Sequence, residues 1–179
     1  MTARPVLQQA DITRALTRIA HEILESNRGG SDLVLLGIPT RGVLLAERIG
    51  GILEGLEPGT SRVGALDVTM YRDDLARTRT RTPSPTELPP GGIDGRTVVL
   101  VDDVLYSGRT IRAALDALAD VGRARAVRLA VLVDRGHREF PILADFVGKN
   151  LPSSTRERVN VLLAEIDGED AVTIEGGDA

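Results

Sequence analysis

The chain has 179 residues, 42% of them apolar and only 2% aromatic, which suits one compact domain with an aliphatic core. Its formal net charge of −4 supplies no global basic field, so any RNA or DNA site has to be a local patch. The absence of cysteine excludes a disulfide scaffold, a thiol nucleophile and a thiolate metal site.

The N-terminal "MTARPVLQQA" lacks the apolar core of a signal peptide, and no apolar run approaches the roughly 20 residues that span a bilayer. A soluble cytoplasmic protein with no membrane partner is expected. Residues 11–25 have helical periodicity, with Ile12, Leu16, Ile19, Ile23 and Leu24 on one face and Arg14, Thr17, Arg18 and His21 on another. "DLVLLGI" (32–38) predicts a buried strand and "VLLAERIGGIL" (43–53) a second helix. "VGALDVTMY" (63–71) alternates, with Leu66, Val68 and Met70 on one face and Asp67, Thr69 and Tyr71 on the other, and predicts a strand. "RDDLARTRTRTPSPTELPPGG" (72–92) is polar and rich in proline and arginine, and predicts a long mobile excursion. "RTVVLVDDV" (96–104) predicts a strand, "RTIRAALDALADVG" a helix ending at Gly122, and "AVRLAVLVD" (126–134) another strand. Residues 135–155 read as irregular, and "VNVLLAEI" (159–166) as the final strand. Strands alternating with helices predict a mostly parallel α/β sheet covered on both faces.

The stretch "VVLVDDVLYSGRTI" (98–111) carries the chemistry. Four apolar residues run into Asp102 and Asp103, and a small-residue turn at Ser107-Gly108 opens a helix. Ligands of open parallel sheets sit beyond the carboxyl ends of the strands. Converging backbone N–H groups at a helix N-terminus cradle phosphate, and Ser107 and Thr110 add hydroxyls. Two carboxylates suit sugar hydroxyls, or a magnesium ion shared with phosphates. A ribose 5-phosphate satisfies both halves. An acidic pair taken alone also suits a turn cap beside a solvated carboxylate. It suits a phosphoacceptor domain too, but that wants a nearby lysine, and the only lysine, Lys149, lies in the irregular segment. The patterns G-x-x-x-x-G-K-[ST] and G-x-G-x-x-G are absent. "GIPTRG" (37–42) ends another strand and offers Thr40, the guanidinium of Arg41 and amides near Gly42 to an anion.

The run ending in "VDDVLYSGRT" resembles the phosphoribosyl diphosphate (PRPP) signature of the type I phosphoribosyltransferases. The resemblance implies an α/β type I phosphoribosyltransferase fold, with a mostly parallel central sheet flanked by helices, a flexible catalytic loop and a small hood. It implies one domain over 1–179, with the loop at about 72–92 and the hood segment at about 134–158. It assigns Asp102 and Asp103 to the ribose hydroxyls and to Mg2+, carried mainly by PRPP. Ser107, Gly108, Arg109 and Thr110 go to the 5-phosphate loop, and Tyr106 to the same PRPP and nucleotide site. Thr40, Arg41 and Gly42 go to the diphosphate, with Arg72 from the flexible loop, whose arginines cover it. Asp102, Asp103 and Arg41 become the catalytic set. Relatives commonly carry a non-proline cis peptide in the diphosphate loop, expected here between Thr40 and Arg41. Purine-salvage members place an aspartate three residues after the acidic pair; Tyr106 stands there in this chain, which points to pyrimidines.

"RALTRIAHEILE", "DVTMYRDDL", "VDDVLYSGRTIRAALDAL" and "LAVLVDRGHREFPILADFVGKNLPSS" extend the likeness to the family of bifunctional pyrimidine operon regulatory proteins, from about residue 5 to residue 165. Its members are uracil phosphoribosyltransferases that also bind the leader of pyrimidine-operon messenger RNA, with uridine nucleotide (UMP or UTP) favouring RNA binding. The resemblance places Val133, Asp134 and Arg135 in the uracil pocket, largely through backbone groups. It places Thr17, Arg18, His21, Arg138 and Lys149 on an RNA surface. It implies a homodimer or a tetramer. Leu143 departs from the arginine common at its position. Two alternatives remain at this stage: an RNA-binding regulator with little residual catalysis, and a pyrimidine-salvage enzyme without RNA binding.

Overall fold

The computed structural model describes residues 3–74 and 82–176. In chain order the elements are β1 (Arg4–Gln8), α1 (Gln9–Asn27), β2 (Leu33–Gly37), α2 (Arg41–Leu56), β3 (Val63–Ala65), a 3-10 turn (Thr69–Tyr71), β4 (Thr97–Leu105), α3 (Arg109–Val121), β5 (Ala126–Asp134), β6 (Phe146–Asn150), β7 (Arg158–Leu162), α4 (Ala164–Asp167) and β8 (Ala171–Glu175). Five strands form a parallel sheet in the order β3-β2-β4-β5-β6. Three form a separate antiparallel sheet in the order β1-β8-β7.

The continuous apolar runs of β2, β4 and β5 arise because helices cover both faces of the parallel sheet. Leu33, Leu35, Val99, Val101, Ala130 and Leu132 pack against Ile12, Leu16, Ile19 and Ile23 of α1 and Leu45, Ile49 and Leu53 of α2. The alternate residues Val34, Leu36, Val98, Leu100, Leu129 and Val131 face Ile111, Ala114, Ala117 and Leu118 of α3. Each buried valine, leucine or isoleucine among these contributes about 1.5–3 kcal/mol. The antiparallel sheet adds Leu7, Val159, Val161, Val172 and Ile174 to the α1–α2 side.

Four expectations need correction. The strand predicted over 63–71 stops at Ala65. Asp67 Oδ1 accepts the N–H and hydroxyl of Thr69 at 3.1 and 2.7 Å, a local turn that competes with a ladder. Tyr71 is then drawn to Asp120 on α3 at 2.5 Å, and Met70 is left 72% exposed. The segment 135–155 is not irregular throughout: Phe146–Asn150 joins the edge of the parallel sheet. The predicted final strand stops at Leu162, because Asp167 and Asp170 accept the N–H groups of Leu163 and Ala164 and turn the chain. β8 follows, and β1 precedes α1. The non-proline cis peptide lies between Pro39 and Thr40, one bond earlier than expected.

Within 72–92, residues 75–81 lie outside the described residues, and with them Arg77, Arg79 and Arg81. The returning limb is tied down: Ala65 and Glu87 exchange backbone hydrogen bonds of 2.9 and 2.8 Å, and Thr86 accepts the Asp67 N–H at 3.0 Å. No helix among the described residues is long and apolar enough to cross a membrane.

Candidate active site

Two strand ends and two helix starts meet at one edge of the parallel sheet. Gly37 of β2 pairs with Val101 of β4, and the Ile38 N–H donates to the Val101 carbonyl at 2.9 Å. This carries the chain across the end of β4 before α2 begins. A Cβ on Gly42 would stand 2.5 Å from the Val101 oxygen and 3.3 Å from Cα of Asp102, so only glycine permits that approach. Thr40, Arg41 and Gly42 are thereby set beside the acidic pair.

Asp102 is 8% exposed and pairs with Val131 of β5. Its Oδ1 accepts the Asp103 N–H at 2.9 Å, and Asp103 Oδ1 accepts the Val104 N–H at 2.8 Å. Burial first, and then the neighbouring Asp103 charge, push the Asp102 carboxyl well above the usual carboxylate range. Such a group gains when hydroxyl donors or a cation arrive to stabilise its ionised form.

After Leu105 the chain turns through Tyr106 and Ser107 into α3. Gly108 caps the helix at φ +89°, a left-handed conformation natural to glycine. Its missing side chain also leaves room for Ile142, which a Cβ would meet at 3.1 Å. The Ser107 carbonyl accepts the N–H groups of Glu139 and Phe140 at 2.9 and 3.1 Å, which fixes the turn from the far side. The first amides of α3 have no intrahelical acceptor. They open on a cavity of about 290 Å3 lined by Arg72, Asp74, Asp102 and the run Val104–Ile111. Arg72 donates to Thr110 Oγ1 at 2.9 Å and holds Asp74 through two bonds of 2.9 Å. The Arg109 side chain points elsewhere, pairing with Asp73 at 2.5 Å and Glu139 at 2.6 Å over the Phe140 ring. What Arg109 offers the cup is its N–H, 3.3 Å from Ser107 Oγ.

Val133 and Asp134 end β5 and Arg135 follows it; none of the three lines this cavity, but Asp134 pairs with Leu105 and Arg135 stacks on Tyr106, which do. Val133 is fully buried, and Asp134 accepts from Gly136 and Arg138. The buried Arg135 side chain is engaged by Ser153 Oγ and the carbonyls of Ser154 and Glu157, with its guanidinium 4.2 Å below the Tyr106 ring. Its charge is therefore directed into the protein.

The five residues expected on the RNA surface divide. Thr17, Arg18 and His21 are exposed on α1 and Lys149 on β6, and α1 packs against β6. Arg18 also has a structural task, donating to the carbonyls of Val147 at 3.2 Å and Gly148 at 2.5 Å. Arg138 is turned to the rim of the cup, where Asp134 at 2.6 Å and the carbonyls of Tyr106 and Ile142 at 2.8 Å capture it. Asp73, Glu139 and Asp167, which pairs with Arg41, were not legible in sequence. Each is an ordinary surface-type acid until the fold brings an arginine to it.

A family model described as the phosphoribosyl transferase domain matches residues 5–162. The chain is 72% identical to the Bifunctional protein PyrR of Leifsonia xyli subsp. xyli over 184 residues, with all of both chains covered. It is 66% identical to that of Streptomyces coelicolor over 172 residues, covering 96% of this chain and 89% of the relative. Among solved structures, the hypoxanthine phosphoribosyltransferase of Trypanosoma cruzi superposes with a TM-score of 0.68 at 15% identity, covering 98% and 97% of the two chains. That of Staphylococcus aureus gives 0.67 at 16% identity, covering 94% and 90%. At such identity these two likenesses speak for the fold alone.

Proposed function

This chain belongs to the phosphoribosyl transferase domain family, and on that premise we propose that it makes UMP and diphosphate from uracil and PRPP, and regulates pyrimidine-operon expression by binding leader mRNA when UMP or UTP is bound. The observation that carries the enzymatic half is the Asp102–Thr110 cup abutting the Thr40–Gly42 loop through Gly42.

The amides opening α3, with the Ser107 and Thr110 hydroxyls, hold the 5-phosphate, helped by the positive end of the helix. Asp102 and Asp103 accept the ribose hydroxyls and, when ionised, favour positive charge developing on the sugar. Arg41 and the amides around it take the diphosphate, with Arg72 at the cup's edge. The bond from the anomeric carbon to diphosphate breaks, a bond from uracil N1 forms, and the N1 proton leaves to solvent. Arg41 meets charge that grows on the departing diphosphate. Magnesium fits this site as a substrate-borne ion. Among the described residues no three ligating side chains cluster, and Mg2+ commonly binds through one or two carboxylates plus substrate phosphates. When bound it draws charge from the diphosphate. Uracil sits against Val133–Arg135, with Tyr106 beside it. The reading places the whole chain in one cytoplasmic catalytic unit, working as a homodimer or tetramer.

An assay with uracil, PRPP and magnesium tests the reading. Wild type is expected to form UMP, and the variant carrying Asp102→Asn with Asp103→Asn to lose turnover while keeping a cooperative melt. A double variant as active as wild type would overturn the assignment.

A further inference from the structure

The C-terminal turn reaches back to the diphosphate loop. Arg41 Nη2 lies 2.8 and 3.0 Å from the two oxygens of Asp167, 126 residues later. The pair is partly enclosed, with side chains 27% and 19% exposed. Asp167 is itself anchored, since its Oδ2 accepts the Leu163 N–H at 2.8 Å. Beside it, Arg48 grips Glu165 at 2.8 and 2.5 Å and Asp170 at 2.8 Å. Two arginines of α2 thus clamp the turn that joins β7 to β8.

The two clamps differ. Arg48 engages Nε, Nη1 and Nη2. Arg41 reaches Asp167 through Nη2 alone, and its Nε is buried without a hydrogen-bond partner among the described residues. A buried donor left unsatisfied is unfavourable and calls for an explanation. A ligand oxygen would provide the partner. Asp167, anchored by the Leu163 N–H, holds the Nη2 edge of the guanidinium in place.

We propose that Asp167 is a positioning residue for diphosphate recognition, holding Arg41 by Nη2 so that the Nε side stays ordered for an anionic oxygen of PRPP. The proposal rests on Thr40–Gly42 being the diphosphate loop. Without Asp167 the Arg41 side chain has to be ordered when PRPP binds, an entropic cost that weakens binding.

The test compares Asp167→Ala, Asp167→Asn and Glu165→Gln. The last loosens the same turn through Arg48 without touching Arg41. Asp167→Ala is expected to raise the KM for PRPP and the inhibition constant of diphosphate by roughly three- to tenfold, with Asp167→Asn intermediate. UMP carries no diphosphate, so its affinity stays at the wild-type value. Glu165→Gln leaves the KM for PRPP unchanged, and Asp167→Ala adds no further loss in an Arg41→Ala background. A wild-type KM in Asp167→Ala overturns the proposal. So does equal weakening of PRPP and UMP in both the Asp167 and Glu165 variants, which would mark the turn as structural only. Wild-type protein that binds UMP but neither PRPP nor diphosphate would sink the diphosphate-loop reading itself, and this inference with it.

Discussion

Alanine at position 42 is the smallest change that reaches the chemistry. Its Cβ would stand 2.5 Å from the Val101 carbonyl oxygen and 3.3 Å from Cα of Asp102. Both neighbours are backbone atoms, so no rotamer change relieves the clash. Ordinary contact begins near 3.4 Å, and the first turn of α2 has to withdraw from β4 by about 0.9 Å. Overpacking of this kind costs about 1–3 kcal/mol. A misplacement of ~1 Å at a reacting site lowers the rate by roughly 100-fold. Gly51, in the same helix, is the control: a Cβ there meets nothing within 4 Å, and Gly51→Ala should stabilise by about 0.5–1 kcal/mol. Both variants are measured for kcat/KM with uracil and PRPP, and for stability by denaturant titration. Gly42→Ala should lose activity and stability together, and Gly51→Ala should gain stability with activity intact. If Gly42→Ala stays within roughly threefold of wild-type kcat/KM, against the 100-fold loss expected, close approach of α2 to β4 does not set the site.

Asp102→Asn should stabilise the ligand-free protein while removing turnover. The folded carboxyl has a raised pKa, through burial and then the charge on Asp103, so its ionisation subtracts stability as pH climbs above the unfolded value, and fully so above the folded one. The gain is expected to be about 0.5–2 kcal/mol at mildly alkaline pH and to fade below about pH 3.9, where both states are protonated. A variant that melts below wild type at alkaline pH would contradict the buried-charge account. At the α1–β6 surface, Arg18→Ala and Lys149→Ala should each weaken binding of the organism's own pyrimidine leader RNA and reduce the salt slope by about 1, with uracil phosphoribosyltransfer nearly unchanged. Only Arg18→Ala should also cost stability, about 1–2 kcal/mol, through its lost bonds to Val147 and Gly148. Filter binding with and without UMP decides the matter, and a leader that binds no better than a scrambled RNA in either condition removes the regulatory half.

Local sequence determined the elements whose causes are local. The apolar runs of β2, β4 and β5 are continuous because both faces are buried, and α1 shows its apolar stripe because one face is. The acidic pair, the Ser107-Gly108 turn and the start of α3 lie within nine residues, Asp102 to Thr110, so this local stretch could be singled out before any fold was known. The short strands β1, β6 and β8 could not. They are five residues each and become strands through the strands they pair with, β1 with the distant β8, β6 with β5, and β8 with both β1 and β7, since strand propensity depends strongly on context. The same holds for side chains. Arg138 belongs to the rim of the cup because Tyr106 and Asp134 come to it, and Arg18 staples α1 to β6 across about 130 residues. Arg41 meets Asp167 only when the fold brings the turn between β7 and β8 beside the start of α2. Composition marks such residues as charged, but long-range packing alone decides which charge each one answers.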